Sequence, residues 1–325
     1  MDNNGRMSLG EFELIDKFFK RPTRRAVLGI GDDCAVLAIS SGQQLAVSSD
    51  MLVEGRHFLS TVRPERLGHK ALAVNLSDLA ACGAKPLAFT LALALPRADE
   101  EFLTAFSRGL LALADAQACE LIGGDTTQGP LNICITVFGE VPAGRALLRS
   151  GARAGDAVYV SGTLGDARLA LALFRGTLSL GGDAFDTLRR AMECPQPQVA
   201  LGLALRGVAN SAIDVSDGLL GDLSHILQRS GVGATLDVDA VPRSGVMRGL
   251  PQALQREYTL AGGDDYELVF TAPAERAPQV QAAAIEAGVA VTRIGSIEAR
   301  TGLRLVDAAG LGVDARFTSF DHFQS

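Results

Sequence analysis

Carboxylates recur along this chain in settings unlike ordinary surface charge. The set is Asp32/Asp33, Asp50, Asp78, Asp125, Asp214/Asp217 and Asp264/Asp265. Most follow an apolar run or a glycine turn, as in Gly29-Ile30-Gly31-Asp32-Asp33-Cys34-Ala35-Val36-Leu37. Adjacent carboxylates beside apolar residues repel each other and lose hydration, so they need a cation or strong hydrogen bonds. Singly, each is also what a capping or turn residue looks like; the repetition points to a shared role. Mg²⁺ answers such a set, because it takes oxygen ligands and bridges carboxylates to substrate phosphates. The chemistry is then phosphoryl transfer or phosphate hydrolysis, and the residues alone do not choose between them.

Other chemistries fit poorly. The four histidines, 57, 69, 225 and 322, form no His-Glu-x-x-His and no close pair, which argues against zinc. There is no Gly-x-Ser-x-Gly elbow, no Gly-Lys-Ser/Thr phosphate loop and no protein-kinase motif set. Gly162-Thr163-Leu164-Gly165 follows a strand and opens a helix; it reads as a tight turn or as an anion site.

The elements that must hold these acids follow from the apolar pattern. Residues 1–28 form an amphipathic lead, with Phe12, Leu14, Ile15, Phe18 and Phe19 at helical spacing, followed by a basic segment with Arg21, Arg24 and Arg25 that is either a solvated loop or a phosphate contact. Gln44 to Asp50 reads as a strand ending in small polar residues and an aspartate. Pro64 to Ala81 reads as a helix with proline in its first turn, and Asn75 and Asp78 share one face of it. Leu87–Leu95 is a buried strand, Asp99 caps a helix running to Ala118, and Glu120 to Ile122 is a short strand entering Gly123-Gly124-Asp125. Strands then alternate with helices to the C-terminus, with a domain boundary near residues 142–156 and Gly262-Gly263-Asp264-Asp265-Tyr266-Glu267 following a loop. This is an α/β chain in which acids are expected beyond strand ends.

The bulk numbers agree. A length of 325 residues allows two domains, and 47% hydrophobic with 21% charged residues fits a globular chain. A net charge of −7 argues against nucleic acid as a partner. Five scattered cysteines without a Cys-x-x-Cys pair fit a reducing cytoplasm. Glu11, Glu13 and Asp16 stand where a signal peptide needs its apolar segment, and Leu87–Leu95 is too short to span a bilayer, so no membrane association is expected.

Five motifs in order carry a resemblance. They are Gly31-Asp32-Asp33-Cys34-Ala35, Asn75-Leu76-Ser77-Asp78-Leu79-Ala80-Ala81-Cys82-Gly83-Ala84, Leu121-Ile122-Gly123-Gly124-Asp125-Thr126, Asp214-Val215-Ser216-Asp217-Gly218-Leu219 and Gly262-Gly263-Asp264-Asp265-Tyr266-Glu267-Leu268. Together they resemble the thiamine-monophosphate kinases, from Gly10-Glu11-Phe12 to Phe320-Asp321-His322-Phe323. The resemblance implies the two-domain fold of the aminoimidazole-ribonucleotide-synthetase-like superfamily, with α/β (α+β) layers. Residues 1–146 would bind ATP and Mg²⁺ and pair sheets across a homodimer, and residues 147–325 would close the site.

It implies transfer of the ATP γ-phosphate to thiamine monophosphate, with several Mg²⁺ ions and no general base. The implied metal ligands are Asp33, Ser48, Ser49, Asp50, Asp78, Asp125, Asp214 and Asp217. Gly124, Asp125, Arg149 and Ser216 are the implied nucleotide contacts, and His57, Asp264 and Phe320 the implied thiamine-phosphate contacts. Relatives often carry Glu at 264 and Trp or Tyr at 320; the replacements keep the chemical character. An acceptor phosphate monoester is mostly dianionic near neutral pH, its second pKa being about 6, so it needs no base. A ring at 320 suits the thiazolium cation. The alternatives are another ATP-using member of the superfamily, a metal-dependent phosphatase, and a non-catalytic dimer that binds Mg-ATP.

Overall fold

The computed structural model describes residues 10–314. The amphipathic lead folds as α1 (Glu11–Phe18), burying Leu14 and Phe18 while Phe12 stays 79% exposed. The basic segment after it is tied down: the Arg21 guanidinium makes a two-pronged ion pair with Asp115 at 3.0 Å on each prong. The Arg24 and Arg25 backbone N–H groups donate to Glu120. A short ribbon follows, β1 (Ala26–Leu28) and β2 (Val36–Leu37), with the Gly29–Ala35 loop between them.

Next come β3 (Gln43–Val53), α2 (Pro64–Ala81), β4 (Lys85–Leu95), α3 (Glu100–Ala116), β5 (Glu120–Gln128) and β6 (Asn132–Pro142). The helix over 64–81 has the bounds its pattern predicts. The α3 start is set by Asp99, whose carboxylate accepts from the Phe102 N–H at 3.0 Å. The strands form one sheet in the order β3-β6-β4-β5, antiparallel except for the β4–β5 pair.

Two expectations change here. The strand over 44–50 does not end at Asp50; it runs on to Val53 because Met51 and Val53 pair with Cys134 and Asn132 of β6. Likewise Gly123-Gly124-Asp125 is not a turn past a strand but lies inside β5. Gly124 has φ +150, and a Cβ on it would stand 1.8 Å from the Leu91 carbonyl oxygen, so only glycine lets β5 lie this close to β4.

The second unit contains β7 (Asp156–Ser161), α4 (Asp166–Phe174), α5 (Gly182–Glu193), α6 (Val199–Ala204), β8 (Ser211–Asp214), α7 (Leu219–Ser230) and β9 (Gly233–Asp237). It continues with α8 (Gly245–Arg248), α9 (Gln252–Ala261), β10 (Leu268–Pro273), α10 (Ala277–Ala287), β11 (Val291–Glu298) and β12 (Gly302–Val306). Its six-stranded sheet has the order β12-β9-β11-β7-β10-β8, antiparallel except for β9–β12. The core is aliphatic, with Val158, Val160, Ile213, Leu219, Leu223, Ile226, Leu236 and Val269 all sealed from water. The segment before Gly262 is a helix, α9, rather than the expected loop. By internal contacts the chain divides into Met1–Leu79 with Lys85–Ala143, and Ala80–Ala84 with Gly144–Ser325.

Candidate functional site

In the first unit, two of the acidic motifs converge. The loop Gly31-Asp32-Asp33-Cys34 and the β5 stretch Gly123-Gly124-Asp125-Thr126 line one cleft of about 860 Å³, together with α1 residues such as Phe12 and Ile15 and with Lys20 just after α1. That volume falls within the roughly 300–1,000 Å³ of small-molecule sites. Asp33 and Asp125 are both exposed in this arrangement.

A second cluster lies between β3 and α2. Alternation along β3 leaves Leu45, Val47, Ser49, Met51 and Val53 exposed and turns Ala46, Ser48, Asp50 and Leu52 to the more covered face. The Ser48 hydroxyl donates to the Asp78 carboxylate at 2.5 Å. One turn earlier, Asn75 accepts the Asp50 N–H at 2.9 Å and donates to the Ala71 carbonyl at 3.0 Å. Asn75 thereby satisfies a backbone donor on the edge strand β3 and fixes the distance of that strand from α2. Ser49 points the other way; its hydroxyl meets the Thr136 hydroxyl at 3.0 Å and the Ile135 carbonyl at 3.1 Å. The register puts Met51, Cys134, Ala92 and Asp125 in one row across the sheet. Ser49 and Asp125 thus share one side of the sheet, and Ser48, Asp50 and Asp78 group on the other. His57 is half-buried after β3, and its Nδ1 accepts the Val53 N–H at 3.0 Å, which leaves Nε2 to carry the ring proton in the neutral form.

In the second unit the acids sit where β8 leaves and β10 enters the sheet. Asp214 pairs with Leu268 in register, so the two loops emerge side by side. They are stitched by backbone bonds: Asp264 N–H to the Ser216 carbonyl at 2.8 Å, Tyr266 N–H to Val215 at 2.9 Å, and Val215 N–H to Glu267 at 2.7 Å. A Cβ on Gly263 would lie 2.3 Å from the Ser216 oxygen, which is why glycine stands there. Asp264 (φ 73) and Tyr266 (φ 53) adopt left-handed backbone, which costs of order 1 kcal/mol or more each and persists only under firm surroundings. Ser216, Asp217 and Asp264 are half-buried, Asp214 is buried, and Arg149 is exposed. Phe320 lies outside the described residues.

The same unit holds Asp222 and Glu267, which are not in the carboxylate set read from the sequence, and Asp265, which is. Asp222 is 3% exposed and its carboxylate accepts three successive backbone N–H groups, from Ser216, Asp217 and Gly218. Burial pushes its carboxyl up to about 7, against those three hydrogen bonds. Asp265 accepts the Gly165 N–H at 2.8 Å, and burial holds it well above the usual carboxylate range. Glu267 accepts from the Ser161 hydroxyl, and burial pushes it up to about 7. The Gly162–Gly165 turn therefore spends its Gly165 N–H on an internal acid.

Among the described residues no three His, Cys, Asp or Glu side chains stand close enough to hold a metal as a closed cage. The donor chemistry still fits Mg²⁺. That ion is held by one or two carboxylates, waters and substrate phosphates, and the donors here are hard oxygens grouped in ones and twos.

A known family matches each half of the chain. Residues 31–141 match the AIR synthase related protein N-terminal domain, and residues 153–308 match the corresponding C-terminal domain. Fold and acidic loops together thus make this a two-domain AIR synthase related protein. A thiamine-monophosphate kinase of Salmonella typhimurium is 46% identical over 324 residues, covering 98% of this chain and 99% of the relative. The crystal structure of the thiamine-monophosphate kinase from Stenotrophomonas maltophilia superposes with a TM-score of 0.82 at 46% identity, covering 86% of this chain and 90% of that one. AaThiL complexed with AMPPCP and TMP superposes at 0.77 with 32% identity, covering 88% and 89%. The chain belongs to the thiamine-monophosphate kinase family.

Proposed function

We propose that the protein transfers the γ-phosphoryl group of ATP to thiamine monophosphate, giving thiamine diphosphate and ADP. The observation that carries this is the cleft in which Asp33, Gly124 and Asp125 meet. Identity of 46% to a kinase over its full length, and the AMPPCP and TMP held by AaThiL, support the choice of substrates. A terminal oxygen of the acceptor phosphate forms a bond to the ATP γ-phosphorus, and the bond from that phosphorus to the β,γ-bridging oxygen breaks in line. The acceptor has already lost its proton, so no residue is assigned as base.

Mg²⁺, when bound, neutralises the phosphates that would otherwise repel each other. In the first unit Asp33 and Asp125 would hold it in the cleft, with Gly124 giving room for the nucleotide. Ser48, Asp50 and Asp78 would hold it beside α2, and Ser49 would serve the opposite side of the sheet with Asp125. Grouping on two sides suits several ions better than one. In the second unit Asp214 and Asp217 would hold Mg²⁺, Ser216 and Arg149 would meet the ATP phosphates, and Asp264 would meet the thiamine side. His57 would add an acceptor contact, and Phe320, outside the described residues, is assigned to the acceptor side on the family resemblance alone. Residues 1–146 are the ATP- and Mg²⁺-binding part and residues 147–325 the second domain.

The exposed row Leu45, Val47, Met51 and Val53 on β3, 36–55% exposed, fits a homodimer formed on that sheet face. No described helix is long and apolar enough to cross a membrane, and the reading places the enzyme in the cytoplasm. Incubation with Mg-ATP and thiamine monophosphate should yield thiamine diphosphate and ADP in equal amounts. Release of inorganic phosphate without the acceptor would instead identify a phosphatase. Val47→Glu should turn a dimer into a monomer in sedimentation; an unchanged dimer would place the interface elsewhere.

A further inference from the structure

Three successive backbone N–H groups that converge on one point form a cradle for an anion, and a helix N-terminus adds favourable potential. Ser216, Asp217 and Gly218 form such a cradle at the start of the 12-residue helix α7. In phosphate-binding loops the cradle faces the ligand. Here it is filled from within: one oxygen of Asp222 accepts all three, at 3.0, 3.0 and 3.1 Å. We propose that Asp222 is a positioning residue that occupies this cradle, so that the 214–218 loop meets its ligands through the side chains of Asp214, Ser216 and Asp217 and not through backbone N–H groups. The inference rests on the kinase reading for the identity of those ligands.

The consequence is a change of sign. A loop whose amides are taken and whose remaining donors are two carboxylates and a hydroxyl prefers cations; the phosphate then arrives with its metal. A related contact occurs at the β7–α4 junction of this unit, where Asp265 takes the Gly165 N–H. Asp222 also acts at one remove on the acceptor side. The Ser216 carbonyl that leaves the cradle accepts the Asp264 N–H, and Gly263 packs against the same oxygen. Holding residues 216–218 therefore helps to hold Asp264 in its left-handed conformation.

Hydrogen exchange of the unmodified protein tests this without any variant. The Ser216, Asp217 and Gly218 amides should be protected at least about a hundredfold without ligand. Mg²⁺ with a non-hydrolysable ATP analogue should add little. Amides that exchange freely and become protected only with the nucleotide would overturn the proposal. Asp222→Asn removes the charge at nearly constant volume. It should speed exchange at those amides and weaken Mg²⁺ binding, measured by calorimetry in the presence of the analogue, by about tenfold or more. It should also raise the Mg²⁺ concentration for half-maximal turnover. Asp156 is another buried acid, holding Asn210 and the Arg153 N–H. Asp156→Asn should lower stability and leave the Mg²⁺ dependence alone. A folded Asp222→Asn protein with unchanged Mg²⁺ affinity would show Asp222 to be structural only. Should the unmodified protein fail to phosphorylate the acceptor, the kinase reading falls while the exchange result still decides the filling of the cradle.

Discussion

The two sheets carry their acids in opposite ways. In the four-stranded sheet Asp50 and Asp125 sit at mid-strand positions, with water or a half-covered groove beside them. At the β8 edge of the six-stranded sheet the acids lie at the end of β8, in the first turn of α7 and in the adjoining loops, and two are sunk: Asp214 and Asp222 are 5% and 3% exposed. The first arrangement leaves carboxylates for a ligand to neutralise. The second uses part of its acids as internal hydrogen-bond acceptors that shape the loops carrying the rest. Burying an acid is expensive unless donors meet it, and Asp222, Asp265 and Glu267 each have a backbone or hydroxyl donor. Acid-to-amide changes should therefore act on activity in the first unit, whereas at the internally bonded Glu267 and Asp265 of the second they should act on stability and its pH dependence.

The largest expected effect is at Asp78. Asp78→Asn removes a charge from the β3–α2 groove but keeps an acceptor for the Ser48 hydroxyl. Turnover should fall by about a thousandfold while stability changes by no more than about 1 kcal/mol. Steady-state kinetics beside urea unfolding separates the two, and retained activity would make Asp78 structural.

Gly124→Ala comes next, and it acts through the backbone. The new Cβ would meet the Leu91 oxygen at 1.8 Å from a residue with φ +150. A loss of roughly 3 kcal/mol or more is expected, read as a lower urea midpoint at constant slope. A loss below about 1 kcal/mol would mean that β4 and β5 separate easily, and the cleft would then be softer than its geometry suggests.

Both predictions bear on what the sequence makes legible. The helix over 64–81 was readable to its ends, because Pro64 suits a first turn and the body is apolar. The acids were readable as a set because their types and neighbours repeat. Strand direction was not. Alternating helices and strands suggest parallel pairing, but direction is fixed by long-range partners, and Leu268 opposite Asp214 makes β8 and β10 antiparallel. The true end of β3 was hidden for a like reason: small polar residues end many strands, and only pairing with Cys134 and Asn132 carries this one to Val53. That Ser48 and Ser49 face opposite ways was available from the period of two. Asp222 left no distinctive trace, since an acid in a first helical turn is common. Helix α9 was obscured by Pro251 before it and Gly262-Gly263 after it, which read as loop.

In the second unit the sharper test is pH. Burial raises Glu267 from 4.5 to about 7, so the folded protein holds a proton there that the unfolded chain has released. The stabilisation is complete below 4.5 and is lost as pH rises to about 7, with no further change above. Glu267→Gln removes this dependence and keeps an acceptor for Ser161. The stability of the unmodified protein relative to the variant should fall by roughly 3 kcal/mol between pH 4.5 and 7.5. Denaturant midpoints across that range measure it. A difference that stays constant with pH would mean that Glu267 is charged when buried, and the contrast between the units would lose its best-placed example.

The smallest effect concerns the cysteines, which report on the cleft itself. Cys34 is exposed and lines the cleft beside Asp33. Cys82 is exposed in the second unit. Cys119 is buried, and burial pushes its thiol well above the usual range, so it has little thiolate to react. An alkylating reagent should modify Cys34 and Cys82 in the native protein and reach Cys119 only after denaturation. Mg²⁺ with an ATP analogue at about ten times its Kd should slow the Cys34 reaction by about tenfold, because roughly one cleft in ten is then open. The Cys82 rate should not change. Equal protection of both thiols would point to a general tightening of the protein, and no protection at Cys34 would remove the nucleotide from this cleft. Only selective protection joins the Gly31–Cys34 loop to the ligand, because Cys34 then reports the occupancy of the space that Asp33, Gly124 and Asp125 enclose.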